Sequence, residues 1–272
     1  MRSRALLALP VAALLALTAC GGSSGDSASG GSSSSSAASS SSGGDLSGTL
    51  TVFAAASLTG VFTDLGNRLE KDDPGLHVTF NFAGSDALAT QITQGAPADV
   101  FASANEKQMK VVTDAGLQAA APTIFADNVL EIAVPKGNPG HVTGLKDFAN
   151  PDLTIAVCAP TVPCGAASQK VFTAAGITAQ PDTEETDVKA ALNKVQLGEV
   201  DAALVYATDV KAAGDKVQGI EFPEAEQAVN KYPIATLKAA PNPAAAKAFV
   251  DLVNSDEGQK ALTDAGFRKP TS

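Results

Sequence analysis

Thr49-Leu50-Thr51-Val52-Phe53-Ala54-Ala55-Ala56-Ser57-Leu58 decides the fold. Its first six residues form an apolar, β-branched run suited to a buried strand, and Ser57 stands where a helix N-cap belongs. Leu58, Val61, Phe62, Leu65 and Leu69 then recur at helical spacing until Asp73-Pro74-Gly75 stops the pattern. Residues 77–82 alternate as a second strand. Gly84-Ser85 turns the chain, Leu88, Ala89 and Ile92 continue as a helix, and Gly95-Ala96-Pro97 ends it before a short buried strand at 98–102. This rhythm of strand, helix, strand, helix, strand predicts an α/β fold with a parallel or mostly parallel sheet.

Further along, the pattern predicts strands at 128–135, 153–157, 202–206 and 234–237. Helices are expected at 165–175, with Val171 and Phe172 inward, and at 188–197, with Val188, Leu192 and Val195 on one face. Two more fall at 243–254 and 256–265. Two α/β lobes follow from this order. The first series ends near Ala126, the second spans about 129–228, and the last forty or so residues rejoin the first lobe.

The N-terminus reads as an export signal. Arg2 and Arg4 precede an apolar run that is too short to span a bilayer, and Leu17-Thr18-Ala19-Cys20 resembles a bacterial lipobox. The expected division is a signal peptide at 1–19, then Cys20 as a lipidated residue with a tether over 20–45. From Gly21 to Gly44 the chain is almost wholly Ser, Gly and Ala, and so cannot bury enough apolar surface to offset ordering entropy. Such a coil reaches roughly 25–30 Å, enough to stand a domain off a membrane. The expected location is the extracytoplasmic face of the cell membrane.

Acidic residues outnumber basic ones 29 to 19, for a net charge of −10, and Trp is absent. Nucleic acid is a poor partner for such a surface, and no aromatic platform for bases or sugars is evident. With Cys20 assigned to lipid, Cys158 and Cys164 remain. An exported pair this close suits a small disulfide loop. Two free thiols or half of a metal site are the alternatives, and the only histidines, His77 and His141, lie far away in sequence.

Three segments share one device: a strand ends, and a helix opens on small residues. They are Phe53 to Leu58, Phe82 to Leu88, and Pro163 to Ala167. A helix N-terminus offers unpaired backbone N–H groups and the positive end of the macrodipole. A serine there adds a hydroxyl donor. Several such ends aimed into one crevice make an anion site without Lys or Arg, and in open α/β sheets the crevice lies at the strand carboxyl ends. Taken singly, Ser57 or Ser85 is an ordinary N-cap that binds its own helix.

Val52-Phe53-Ala54-Ala55-Ala56-Ser57-Leu58-Thr59 closely resembles the opening motif of periplasmic molybdate-binding proteins. Gln91-Ile92-x-x-Gly95-Ala96-Pro97-Ala98-Asp99-Val100-Phe101-Ala102-Ser103-Ala104 resembles their second motif, and Val205-Tyr206-x-x-Asp209 a third. The resemblance implies the two-lobed type II periplasmic-binding-protein fold, with mostly parallel sheets and a hinge of two crossover strands. Lobe I would comprise 46–127 and 232–272, and lobe II 128–231. It also implies an oxyanion ligand, molybdate or tungstate, its metal held only through its oxygens, with no cofactor and no enzymatic activity. The partner would be the permease of an ABC importer, met by a monomer. Ser57 and Ser85 would donate hydroxyl and backbone N–H, Cys164 and Val188 backbone N–H, and Tyr206 its phenol O–H. Without the family, Val188 reads as helix-face core and Tyr206 as a strand-end aromatic.

One departure concerns Asp86, which stands where the family carries a small or hydroxyl residue. A carboxylate would repel a dianion, so Asp86 is expected to point outward. The alternatives are another tetrahedral oxyanion, such as sulfate or phosphate, and an exported hydrolase. The hydrolase lacks support: Gly-x-Ser-x-Gly is absent, and neither histidine has a triad context. Asp99 and Asp209 suggest a carboxylate pair only on paper. Each sits in or just after a short strand, where orienting backbone is the expected role.

Overall fold

The structure is a computed structural model that describes residues 46–270. The expected signal peptide, the lipidated Cys20 and the tether lie outside the described residues. The first half opens with β1 (Ser47–Ala55), a 3-10 turn (Ala56–Leu58) and α1 (Thr59–Asp72). It continues through β2 (Gly75–Ala83), α2 (Ser85–Thr93), β3 (Val100–Ala102), α3 (Glu106–Asp114) and β4 (Thr123–Asn128). The chain then crosses at Val129 into β5 (Leu130–Pro135), β6 (Ile155–Cys158), α4 (Pro163–Ala175) and β7 (Thr183–Glu185). α5 (Val188–Gln196), β8 (Ala202–Tyr206), α6 (Ala207–Ala213) and β9 (Val217–Ile220) complete the second half. β10 (Asn230–Thr236) returns to the first, followed by α7 (Pro243–Asn254) and α8 (Asp256–Asp264).

Each half is built on a five-stranded sheet, ordered β2-β1-β3-β10-β4 and β7-β6-β8-β5-β9. The α/β class and the two crossing strands follow the sequence reading. The parallel share is lower than expected. β1 runs parallel to β2 and β3, and β6 to β7 and β8, whereas β10 is antiparallel to both its neighbours and so is β5. The reason is topological. A strand inside a strand–helix–strand series ends at the crevice, whereas β5 and β10 enter their sheets from the crossing and therefore start there. The two crossings meet where Asn230 pairs with Asn128.

Each half buries apolar core, three clusters in all among the described residues. In the first half, the ring of Phe62 meets that of Phe249 edge-on at 5.3 Å, so α7 and α8 close over β1 and α1, with Leu50, Leu65 and Leu262 in the same cluster. In the second, Ile132, Phe148, Ile155, Val171 and Leu204 lie together.

Asp99 and Asp209 are fully buried, but in different halves. Asp99 accepts the N–H of Thr51 at 2.7 Å and of Asn242 at 2.6 Å, tying β1 to the start of α7. Asp209 accepts the N–H of Tyr206 at 3.2 Å and lies 2.9 Å from the Lys189 ammonium. Both orient backbone and do not face each other as a pair. Asp99→Ala strands two half-buried N–H groups, at about 1–3 kcal/mol each. Urea denaturation is expected to show a loss of about 2–5 kcal/mol in unfolding free energy. A loss within experimental error would contradict this role.

Candidate oxyanion site

Each turn that leaves a sheet at its carboxyl end delivers one small, polar segment to the crevice. β1 leads into Ala56 and Ser57, β2 into Gly84 and Ser85, β6 into Pro163 and Cys164, β7 into Asp187 and Val188, and β8 ends on Tyr206. All of these residues, with Ala55, Ala83, Ala104 and Val162, line one small hollow. Thus Ser57, Ser85, Cys164, Val188 and Tyr206, drawn from both halves, come together on one wall system.

The helix starts determine which donors stay free. Gly84, as N-cap of α2, has no side chain to take the first-turn N–H groups, so that of Ser85 is left over. Pro163 occupies the first position of α4 and has no N–H, which makes Cys164 the first donor there. In α5 the Asp187 carboxylate accepts from Lys189 N–H at 2.8 Å and Ala190 N–H at 3.0 Å, leaving the N–H of Val188. Cys158 and Cys164 are joined by a disulfide, which ties the end of β6 to the first turn of α4. Gly165 has no room for a side chain: an added Cβ would lie 2.0 Å from the carbonyl oxygen of Ala159.

The polar side chains that line the hollow are largely withdrawn from water. Ser85 and Tyr206 are each 1% exposed and Ser57 7%. The halves touch around it: Gln108 donates from α3 to the carbonyl of Thr161 at 2.9 Å, and Ala56 packs into the apolar cluster of the second half. No lysine or arginine is among the lining residues. Asp86 does not line the hollow. It is half-buried beside Gly84, and its Oδ1 has no hydrogen-bond partner among the described residues.

Sequence reasoning missed the layer behind the lining. Tyr232 OH lies 2.9 Å from Ser57 Oγ, and Asn128 Nδ2 donates to it at 3.4 Å. Asn230 Nδ2 donates to Tyr206 OH at 2.9 Å. The N–H of Ala104 donates to Ser85 Oγ at 3.0 Å. No local pattern marks these residues, since their positions depend on the two crossings. Burial, with Tyr232 and Asp209 nearby, pushes the Tyr206 phenol well above its ordinary pKa. Burial likewise raises that of Tyr232. Both therefore remain O–H donors throughout the physiological range.

Two α/β halves that close over a small donor-lined hollow define an extracytoplasmic solute-binding protein. The chain belongs to the bacterial extracellular solute-binding protein family, whose model matches residues 50–268. It is 46% identical over 222 residues to the molybdate-binding protein ModA of Mycobacterium tuberculosis, covering 82% of this chain and 85% of that protein. The molybdate-binding protein ModA of Escherichia coli is 32% identical over 235 residues, covering 81% and 89%. The periplasmic molybdate-binding protein of Azotobacter vinelandii shares the fold, with a TM-score of 0.72 at 22% identity over 82% of this chain and all of that one. The resemblance read from the motifs thus holds.

Two expectations follow from the geometry. The chain has two tyrosines and no tryptophan, so its phenolate absorbance reports on Tyr206 and Tyr232 alone. A raised folded pKa contributes stability that is fully present below the unfolded value, about 10, and is lost as pH rises above it. Phenolate should therefore appear only well above pH 10 and together with unfolding; a reversible titration near 10 in the folded protein would contradict the burial. Second, a Cβ on Gly84 would meet the carbonyl oxygen of Thr186, in the other half, at 2.6 Å. Gly84→Ala is expected to hold the halves apart and raise the radius of gyration in X-ray scattering, whereas an unchanged value would contradict the contact.

Proposed function

We propose that the protein captures molybdate or tungstate outside the cytoplasm and hands it to the permease of an ABC importer. One observation carries the reading: five donors named from motifs line a single buried hollow that both halves complete. Molybdate at neutral pH is a tetrahedral dianion without protons, and its oxygens only accept hydrogen bonds. Ser57, Ser85 and Tyr206 would supply hydroxyls, and Cys164 and Val188 backbone N–H groups. The metal would be held through its oxygens alone. The chain's negative charge is tolerable, because the attraction is short-range while distant repulsion is screened beyond about 8 Å in physiological salt. Since the donors are divided between halves, the anion binds the closed arrangement better and shifts the population toward it. The closed surface is then what a permease recognises.

Membrane attachment belongs to the same proposal. Among the described residues no helix is long and apolar enough to cross a membrane. The lipobox-like Cys20 and the Ser/Gly stretch after it support a lipid anchor with a tether, carrying a monomeric binding domain. The relatives' names, molybdate-binding proteins, support a binding protein rather than an enzyme.

Ser57→Ala, Ser85→Ala and Tyr206→Phe are each expected to weaken molybdate binding by about 1–3 kcal/mol in calorimetry, the cost of losing a hydrogen bond to a charged group. Normal binding by all three would overturn the site. Run on the wild type, the same titration with sulfate and phosphate tests the other tetrahedral oxyanions, and sulfate binding tighter than molybdate would overturn the choice of ligand.

A further inference from the structure

We propose that Tyr232 and Asn230, backed by Asn128, are positioning residues that turn the hydroxyl protons of Ser57 and Tyr206 into the hollow. The proposal rests on the oxyanion reading above and adds how its selectivity is set.

The orientation of two side-chain amides here is fixed by backbone groups that can play only one role. The carbonyl of Ala104 can only accept, and it receives Asn230 Nδ2 at 2.8 Å. That settles which end of the amide is the nitrogen, so the same nitrogen donates to the Tyr206 oxygen at 2.9 Å. The N–H of Val129 can only donate, and it reaches Asn128 Oδ1 at 3.0 Å. Asn128 Nδ2 must then donate, to Thr208 Oγ1 at 2.8 Å and to the Tyr232 oxygen at 3.4 Å. The Tyr232 and Ser57 hydroxyls lie 2.9 Å apart and either can donate; with Asn128 Nδ2 already on the Tyr232 oxygen, Tyr232 is taken as the donor.

Ser57 and Tyr206 thus each receive a donor from behind, and each has one proton left. Ser85 is in the same position, its oxygen accepting the N–H of Ala104. The Tyr206 proton has one other outlet, the neighbouring Tyr232 hydroxyl. A dianion is the stronger acceptor, because hydrogen bonds to ionised groups are roughly twice as strong as neutral ones. The three hydroxyls therefore offer protons to the hollow, each with one acceptor position already taken from behind. Hydrogen phosphate would bring a proton for which these hydroxyls, turned to donate and already accepting one bond each, are poor acceptors.

The test is a double-mutant cycle in molybdate affinity, measured by calorimetry on the wild type, Tyr232→Phe, Ser57→Ala and the pair. Tyr232→Phe is expected to weaken binding about two- to tenfold, the range of one neutral hydrogen bond. It should add little once Ser57 is gone. Wild-type affinity in Tyr232→Phe, or losses that simply multiply, would overturn the positioning role while leaving the site intact. Wild-type affinity in Ser57→Ala would instead bring down the site reading, and this proposal with it. A structural role alone would not move selectivity. In Tyr232→Phe the released Ser57 can turn a lone pair inward, so the ratio of molybdate to hydrogen phosphate affinity should fall; an unchanged ratio counts against the proposal. If circular dichroism shows that Tyr232→Phe does not fold, the cycle of Asn230→Ala with Tyr206→Phe decides on the same criteria.

Discussion

A backbone N–H in the first turn of a helix has no partner within that helix, and a buried one must find a partner elsewhere. The protein gathers several of these groups instead of dispersing them. α2, α4 and α5 start at one hollow, and each start is arranged so that a chosen donor stays free. A glycine N-cap leaves Ser85, a proline leaves Cys164, and an aspartate that takes the next two N–H groups leaves Val188. None of these groups carries a formal charge. Their common need for an acceptor, supplied from two opposing halves, makes one small anion the natural bridge between them.

The fold serves this convergence. Parallel strands end at the crevice and present their turns to it, while β5 and β10 start from the crossing and join the sheets to one another. Asn128 and Asn230 pair where the crossings meet, and their amides reach forward to Tyr232 and Tyr206. The residues that join the halves therefore also back the groups that would hold the ligand. The disulfide and Gly165 fix one donor loop, and Asp209 fixes the backbone of Tyr206.

Much of this was legible in the sequence, for physical reasons. Strands at residues 49–54 and 202–206 and helices such as α1 and α5 follow from local periodicity, which requires no knowledge of neighbours. The lining residues were legible because each sits in a short turn whose chemistry is local: a small residue, a serine, a helix start. What escaped was non-local. β4 went unread, and the strand expected at 128–135 is β5, started two residues early because Val129 continues its apolar run. α3 and α6 went unread, as did the short strands β7 and β9. Asn128, Asn230 and Tyr232 carry no motif; their meaning arises from a pairing across 102 positions of the chain, from Asn128 to Asn230. The parallel share of the sheets was overestimated for the same reason, since strand direction at a crossing is a property of the whole topology.

The most direct measurement is a crystal structure of the protein with molybdate, using anomalous scattering at the molybdenum edge to locate the metal. The account predicts one peak in the hollow between the halves, its tetrahedral oxygens within hydrogen-bonding distance of the hydroxyls of Ser57, Ser85 and Tyr206 and of the N–H groups of Cys164 and Val188. A peak on an outer surface, or a bound ion held by lysine or arginine side chains, would contradict it.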